Sequence, residues 1–516
     1  MTSFSALRLL LCSLLLVPSV AVLAQDDLPP GINTLRVTSR LVLLDVSVVD
    51  KEGHPVSGLT AKDFQVFEEK QLQRIVSFES AADHTLPPNV TAATIFDPAQ
   101  PRVFGSSPVT ILVLDEVNTH FSDLAYGIKC LKDYLNKQPA TLTQPTELLV
   151  VRDSGFQQLS PYTLDRGRLL GALAKHVPSQ AWALEQSKSA GPGVGDRLDR
   201  SISVLEQIAQ NSAPIRAHKN LIWVGAGFPS VDPDALTPGT DTMLKNMLQH
   251  VTDTLLDSRI SLYSIDPTST LPTMDEIIND DQMGVFSIGG SSAGNILSPF
   301  DTNLDFDHLG PVTGGRSIRG QNDVDRYIND GVLSGTQSYT LGYRPTDNAE
   351  TPGAFRHIRV VCLRPGLTVR THDGYYTTGS KTAKTRDTIG YDLNNAATAD
   401  LPLHGLDFTV EADSKPGEFI LHVHADGLTW TSQSNGASTA NVEVLVVALS
   451  AKNKILSHTL HSETATANPN VDLHSSAQLA RFAIELGPRP KATHLRFVVR
   501  DASNGRMGTF DLPLTK

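Results

Sequence analysis

The sequence has 516 residues and a formal net charge of −12, with charged residues spread along the chain and no acidic tail or basic block. This balance argues against nucleic acid and against an anionic membrane surface as binding partners. The length is enough for about three domains, each able to form its own core.

Residues 1–24 predict a secretory signal peptide. They contain one positive charge at Arg8, an apolar stretch over 9–17 and small residues suited to cleavage before Gln25. After this segment, no run approaches the roughly 18 consecutive apolar residues of a membrane-spanning helix. We therefore expect a soluble protein that is exported to the periplasm or the cell exterior, without membrane insertion.

Residues 33–80 show the alternating apolar pattern and the turn residues of β-strands. This segment is too short to bury a core alone. The same pattern returns over 337–378, after an intervening region with a different periodicity. We expect the two β segments to pair in one β-sandwich module, into which the intervening region is inserted.

The region 108–336 alternates apolar strands with amphipathic helices. Residues 109–114 are apolar on both faces except for Thr110, which is typical of a central strand covered on two sides. The alternation predicts a parallel-sheet α/β domain. It is interrupted over 267–303 by a Gly/Ser-rich insertion, and a loop of that length is either functional or disordered.

Three further segments complete the predicted organisation. Residues 81–107 and 379–400 lack periodicity and are interpreted as linkers. Residues 401–516 contain about seven strand patterns separated by hairpin turn signals, with little helical periodicity. This carboxyl-terminal part predicts an immunoglobulin-like β-sandwich.

The order of these parts resembles that of exported bacterial proteins with a von Willebrand factor A-related domain, in particular the acidobacterial type. The segments that carry the resemblance are 58–67, 113–119, 219–229, 313–315 and 339–345. The resemblance covers about residues 35–376. It implies a Rossmann-like A-type domain, inserted in the β-sandwich module, that binds proteins rather than transforming a substrate.

The resemblance also implies a place for a metal ion. Many A-type domains hold Mg²⁺ through an Asp-x-Ser-x-Ser motif, completed by a Thr and an Asp on later loops. Here Asp115 matches the Asp, Val117 and Thr119 stand at the two Ser positions, and Ala226 replaces the later Asp. Asp115, Asn118 and Thr119 can still supply three oxygens, which would hold Mg²⁺ only weakly. Alternatively, Asp115 caps the following loop through neighbouring backbone amides.

We expect the partner-binding surface at the carboxyl edge of the central sheet, where open α/β sheets bind ligands. Its predicted members are Glu116, Gly225, Ala226, Gly227 and Phe228. The sequence contains no His-Glu-x-x-His metalloprotease motif, no Cys-x-x-Cys motif and no Walker phosphate-binding loop. The preferred hypothesis is an exported, non-enzymatic protein-interaction or adhesion module without a cofactor. The alternatives are a secreted hydrolase of unknown class and a structural component of a cell-envelope assembly.

Overall fold

The computed structural model describes a mixed α/β protein with several sheets and few helices, which confirms the predicted mixture. The described residues are 41–100, 103–152, 155–179, 194–228, 237–268, 306–346, 354–377, 386–415, 417–451, 454–469, 471–475, 477–487 and 491–514. They all lie within one compact unit, Arg40–Lys516. The predicted signal peptide and nearly all of the predicted 267–303 insertion are outside these residues.

Two four-stranded antiparallel sheets share one core and combine strands from before and after the central region. The first contains, in order, β14 (Thr368–Arg370), β1 (Val42–Val49), β12 (Tyr339–Tyr343) and β4 (Ile75–Glu79). The second contains β15 (Gly374–Tyr376), β13 (Phe355–Cys362), β2 (Phe64–Glu68) and β3 (Gln71–Gln73). Alternate residues of β1, such as Leu44 and Val46, enter this core because successive strand side chains point to opposite faces.

A seven-stranded sheet forms the centre of the described structure. Its order is β11 (Arg316–Ile318), β10 (Ile260–Ile265), β9 (Lys219–Val224), β6 (Val109–Asp115), β7 (Thr141–Arg152), β8 (Gly155–Asp165) and β5 (Ile95–Phe96). The five strands from β11 to β7 are parallel, whereas β8 and β5 pair antiparallel. Every residue of β6 is buried, as expected for an apolar central strand.

Helices follow most of the parallel strands. They are α1 (Phe121–Lys137), α2 (Arg166–Lys175), α3 (Val194–Ser212), α4 (Pro238–Asp257), α5 (Phe306–Val312) and α6 (Val324–Thr336). Helix α1 buries Leu124, Ile128, Leu131 and Leu135, whose spacing places them on one face. It packs against α6, and α3 packs against α4. No helix in the described part of the chain is long and apolar enough to cross a membrane.

The segment 81–107 is not the linker that the sequence predicted. It supplies β5 to the central sheet and buries Phe96 and Phe104, whose ring centroids are 4.9 Å apart. Phe104 also packs edge-on against Tyr162. The Pro/Thr/Ala-rich composition hid these two aromatic anchors, which fix the segment because each ring removes a large apolar area from water.

The carboxyl-terminal strands form two antiparallel sheets around a second core. One contains β16 (Phe408–Ala412), β17 (Glu418–His424) and β21 (Leu479–Glu485). The other contains β18 (Thr431–Ser432), β19 (Ser438–Leu449), β22 (His494–Asp501) and β23 (Met507–Pro513), with β20 (Ile455–Ala467) paired to β19. Alternate residues of β19 thus face the inter-sheet core, and the others face outward.

A helix that the sequence analysis missed covers part of the outward face. Residues 379–400 were predicted as a linker, but they include α7 (Arg386–Thr398). Leu393, Ala396 and Ala397 of α7 pack on Leu445 and Val447 of β19. The helix was overlooked because its buried face consists mainly of small residues in an Ala/Asn/Thr-rich segment, which resembles linker composition.

An ion pair couples the first sandwich to the α/β region. Asp45 of β1 accepts hydrogen bonds from Arg259 Nε at 3.1 Å and Nη2 at 2.5 Å, and His218 Nδ1 lies 3.0 Å away. Burial raises the pKa of Asp45, but the charges of Arg259 and His218 outweigh it and hold the pKa well below its ordinary value. The pair therefore stabilises the ionised carboxylate.

We expect Asp45→Asn to destabilise the protein at neutral pH, because it removes the counter-charge of a largely buried guanidinium. The loss should be about 3 kcal/mol, which lowers the melting temperature by several degrees. Since the pKa of folded Asp45 is depressed, its contribution exists above about pH 4 and is lost as the pH falls through the folded pKa.

Thermal unfolding at about pH 7 and about pH 3 tests this prediction. The difference in melting temperature between the variant and the wild type should be smaller at about pH 3. Asp426→Asn, at an exposed position, is the matched control. A gap of equal size at both pH values would show that the charge of Asp45 is not what stabilises the contact.

Candidate functional site

The loops after β6 and β9 meet at the carboxyl edge of the central sheet. Asp115 ends β6, and Gly225 follows β9, its parallel neighbour. A Cβ on Gly225 would lie 2.4 Å from Cβ of Asp115, and one on Gly227 would lie 2.3 Å from the ring of Phe306. Both glycines have positive φ, at 151° and 69°. Only glycine lets this loop pack so closely on Asp115 and Phe306.

The carboxylate of Asp115 is fully buried and is surrounded by N–H donors. Its Oδ1 accepts from the backbone N–H groups of Val117 and Asn118, each at 3.0 Å. Its Oδ2 accepts from Asn118 Nδ2, Trp223 Nε1 and the backbone N–H of Gly227, each at 3.1 Å. Burial raises the pKa of Asp115, and these hydrogen bonds oppose the rise without cancelling it.

The predicted metal ligands come together, but their arrangement does not fit Mg²⁺. That ion needs several oxygen ligands at about 2.0–2.1 Å. Here both oxygens of Asp115 already accept N–H groups, and Thr119 Oγ1 accepts from the backbone N–H of Ala226 at 3.1 Å. Asn118 directs its Nδ2 toward Asp115, and only its Oδ1 has no hydrogen-bond partner among the described residues. These three side chains instead hydrogen-bond the loops after β6 and β9 and hold them at the end of the sheet, in agreement with the alternative in which Asp115 caps the following loop.

Glu116 was predicted to contact a partner, but its side chain is turned inward. It is 1% exposed, and its carboxylate accepts from Ser179 N at 2.8 Å and Ser179 Oγ at 2.5 Å. His176 Nε2 lies 2.5 Å from Oε1, and Arg152 Nε lies 3.4 Å from Oε2. Burial raises the pKa of Glu116, but the hydrogen bonds from His176 and Ser179 outweigh it and leave the pKa lowered. The prediction of Glu116 as a contact residue is corrected.

The predicted partner-binding loop 225–228 is corrected in the same way. Phe228 is 0% exposed and packs edge-on against Phe306, with ring centroids 5.2 Å apart. Gly225 and Gly227 are buried, and only Ala226 is partly exposed. The strand end was located correctly by its pattern, but the glycines allow the loop to fold inward rather than outward.

A buried polar cluster escaped the sequence analysis. Its members come from four elements: Glu206 of α3, His250 of α4, Asp392 of α7 and Arg500 of β22. His250 Nε2 lies 3.6 Å from Glu206 Oε1 and 3.2 Å from Asp392 Oδ1. Arg500 Nε donates to Asp392 Oδ2 at 2.7 Å. No local spacing links these residues, so only the fold brings them together.

Two other buried groups have strongly shifted pKa values. Burial raises the pKa of Glu147 in β7 to about 7 and lowers that of Lys219 in β9 to about 7. Glu147 accepts from Gln158 Nε2 at 3.1 Å, and Lys219 Nζ donates to the carbonyl of Ser258 at 2.6 Å and to that of Ala217 at 3.2 Å. Shifted pKa values indicate a functional site when the group faces a cleft. These two groups are instead satisfied inside the sheet.

Comparison with known proteins gives only weak similarities. No protein-family model and no curated protein sequence matches the chain. Among solved structures, it is similar to an endonuclease/exonuclease/phosphatase from Beutenbergia cavernae DSM 12333 (11% identity, 38% of this chain and 40% of that chain, TM-score 0.11). It is also similar to the pilus adhesin SpaC from Lactobacillus rhamnosus GG (9% identity, 83% of this chain and 58% of that chain, TM-score 0.27). A third similar structure is the SpRpn10 VWA domain (15% identity, 34% of this chain and 94% of that chain, TM-score 0.16). The chain spans less than two thirds of the first two structures, and at these TM-scores none of the three defines its fold or function.

Glu147→Gln should stabilise the protein more at alkaline than at acidic pH. The pKa of Glu147 is raised from 4.5 to about 7 in the folded protein, so the folded state holds this proton more tightly than the unfolded state does. The resulting contribution to the free energy of unfolding is complete below about pH 4.5 and is lost as the pH rises through about 7. The amide avoids this loss, which is at most about 3 kcal/mol.

The measurement compares melting temperatures at about pH 5 and about pH 8, with Glu485→Gln at an exposed position as control. The difference between Glu147→Gln and wild type should grow by several degrees toward pH 8. Parallel pH profiles of the two proteins would contradict the assignment.

For Asp115, we expect millimolar Mg²⁺ to leave the melting temperature unchanged, because N–H donors already fill the positions around its carboxylate. Asp115→Ala should lower the melting temperature without any added metal, since it leaves buried donors unpaired at a cost of about 1–3 kcal/mol. A wild-type melting temperature that rises by several degrees with Mg²⁺, and does not rise in Asp115→Ala, would restore the metal-site hypothesis.

Proposed function

We propose that the chain is an exported, non-enzymatic protein-interaction module that binds an extended segment of its partner along the free edge of β20. The observation that carries the proposal is a 13-residue strand that pairs on one side only with the strands that the structure describes. Export rests on the signal-peptide pattern at 1–24. The proposal requires no cofactor, and recognition comes from backbone hydrogen bonds and side-chain contacts of an added strand.

The edge of β20 lacks the usual protection of a sheet edge. Natural edge strands are shortened, covered, or blocked by Lys or Pro. β20 has neither residue and only one acidic side chain, Glu463, and no described strand pairs with its outer side. The edge at β23 differs, because Leu406 N donates to the Met507 carbonyl and Thr509 N to the Leu403 carbonyl. The exposed edge of β20 is therefore available for pairing.

The ladder of β19 identifies which backbone groups of β20 point outward. The carbonyls of Asn441 and Leu449 accept from Ala502 N and Thr493 N, on the side of β19 opposite β20. Backbone direction alternates along an antiparallel strand, so the β20 residues opposite 441, 443, 445 and 447 direct their N–H and C=O groups away from β19. These residues are Thr464, Ser462, Leu460 and His458.

The side chains along this edge favour one chemistry for the proposed partner segment. Leu460 and Ile455 are 51% and 39% exposed, and they lie beside Leu445 and Leu449, which belong to the cluster that packs under α7. An added strand would cover these two side chains and extend that apolar surface. The partner segment is accordingly extended, weakly charged and apolar or β-branched at alternate positions.

The carboxyl edge of the central sheet supports the non-enzymatic part of the proposal. In enzymes with this kind of sheet, polar groups at the edge converge on a substrate. Here the carboxylates of Asp115 and Glu116 both accept hydrogen bonds from groups of the protein itself, and the loop at Gly227 packs on Phe306. Within the described residues, the secreted hydrolase and the envelope structural component have no comparable observation in their favour, and nearly all of the 267–303 insertion lies outside those residues.

Peptides selected from a random display library on the mature protein serve as the probe for this edge. We expect selected peptides to show alternating apolar and β-branched residues, and to slow hydrogen exchange at the amides of Leu460 and Ser462. Ser462→Pro should weaken their binding about tenfold or more, because it removes an outward N–H while leaving the ladder to β19 intact. Ser462→Ala, which keeps that N–H, should bind like wild type.

Equal affinity of the peptides for Ser462→Pro and Ser462→Ala would contradict strand addition at β20. So would slowed exchange confined to other parts of the protein. Sedimentation of the free protein is measured alongside, since a wild-type dimer that Ser462→Pro dissociates would identify a second copy of the chain as the strand donor.

A further inference from the structure

We propose that Glu206, His250 and Asp392 bind one divalent transition metal ion, with Zn²⁺ as the best match, and that this ion joins the α/β region to the carboxyl-terminal sandwich. The proposal goes beyond the function assigned to the edge of β20 and does not depend on it. It also concerns different residues from the degenerate Asp115 motif.

The spacing of the three candidate ligand atoms matches a tetrahedral site. Zn²⁺ binds nitrogen and oxygen ligands at about 2.0–2.1 Å, so ligand atoms of a regular tetrahedron are about 3.3 Å apart. His250 Nε2 lies 3.2 Å from Asp392 Oδ1 and 3.6 Å from Glu206 Oε1. The three atoms all lie within 4.8 Å of one another. Small side-chain adjustments would place them around one ion as three of its four ligands.

These same three atoms are the ones in the cluster that make no hydrogen bond. Glu206 Oε1, His250 Nε2 and Asp392 Oδ1 are buried, and by hydrogen-bond geometry none of them has a partner among the described residues. Buried polar atoms nearly always have such a partner, so three that converge on one point need an explanation. At the observed separations His250 lies within ion-pair distance of both carboxylates without well-directed hydrogen bonds. A shared cation would satisfy all three atoms at once.

The remaining oxygen of each carboxylate is held by a neighbour. Asn395 Nδ2 donates to Glu206 Oε2 at 3.0 Å, and Arg500 Nε donates to Asp392 Oδ2 at 2.7 Å. Each carboxylate therefore keeps one oxygen fixed and presents the other toward His250. Metal-binding carboxylates typically have such outer hydrogen bonds, which fix the orientation of the ligand oxygen.

The charge of the cluster also favours a divalent cation. Glu206, Asp392 and Glu443 contribute three carboxylates, whereas Arg500, which bonds to Asp392 and Glu443, contributes one positive charge. A metal-bound His250 is a neutral imidazole, so two negative charges then remain in this buried region, and a divalent ion balances both. In the metal-free cluster burial lowers the pKa of His250, but the neighbouring carboxylates outweigh it and raise the pKa, and a proton on the imidazole balances only one of the two charges. The mixed imidazole and carboxylate ligands suit Zn²⁺ rather than Mg²⁺, which prefers oxygen alone.

The position of the cluster gives the ion a structural role. Glu206 and His250 belong to helices that pack on the central sheet, whereas Asp392 belongs to α7, which packs on β19 and β22. The turn at Gly505 lies directly against His250, where an added Cβ would be 3.0 Å from Cε1. A metal that binds only the folded arrangement stabilises the contact between these elements.

The test titrates the chelator-stripped mature protein with Co²⁺ as a spectroscopic probe. We expect one Co²⁺ per chain with the intense visible absorption of a four-coordinate site, its displacement by one equivalent of Zn²⁺, and a melting temperature that rises by several degrees with Zn²⁺. His250→Gln and Asp392→Asn should each weaken Co²⁺ binding at least about tenfold. His474→Gln, at an exposed position, should bind as wild type does.

Folded wild-type protein that binds neither Co²⁺ nor Zn²⁺ would overturn the proposal, and would leave the cluster as an imidazolium between two carboxylates. Metal binding that is equal in wild type and Asp392→Asn, or is lost in His474→Gln, would overturn it as well, since it would place the ion elsewhere. If the cluster variants do not fold, the stoichiometry and absorption of the wild type decide. A stoichiometry other than one, or a six-coordinate spectrum, counts against the site.

Discussion

The buried carboxylate of Asp115 is the constraint on which the centre of the molecule depends. Five N–H groups converge on it, from the loop after β6, from Trp223 and from the loop after β9. An ionisable group in such a place is tolerated only because each lone pair has a donor. The same contacts hold Gly227 against Phe306, so one side chain positions the loops after β6 and β9.

The sequence was sufficient to predict the strands and helices whose pattern is contained in a short stretch of residues. The apolar residues on both faces of β6 and the helical spacing of Leu124, Ile128 and Leu131 in α1 predicted a mixed α/β structure, and the structure has these elements. Prediction failed where long-range contact decides the outcome. Phe96 is buried by β8 and by the ring of Phe104, and α7 packs on a sheet whose strands follow it in sequence. Composition alone described both segments as linkers.

The candidate sites divide in the same way. Asp115 could be found from its place after an apolar strand, but its donors Trp223 and Gly227 are more than 100 residues away, and no spacing reveals that they occupy its oxygens. The cluster at His250 and the open edge of β20 depend entirely on which elements become neighbours. The family resemblance pointed to the carboxyl edge of the central sheet, whereas the buried cluster at His250 and the edge of β20 lie in other parts of the described structure.

The pairing of β1 with β12 has a consequence for how the protein is made. Thr340 donates to Asp45 across 295 residues of sequence, so the first sandwich cannot close until the intervening α/β region has been synthesised. Contacts of this range slow folding, and strands without partners are prone to wrong association in the meantime. The amino-terminal strands remain without their partners for the longest time during synthesis. If the chain crosses a membrane before it folds, β1 and β2 leave the pore first. The yield of folded protein would then depend on a chaperone that protects these strands in the receiving compartment.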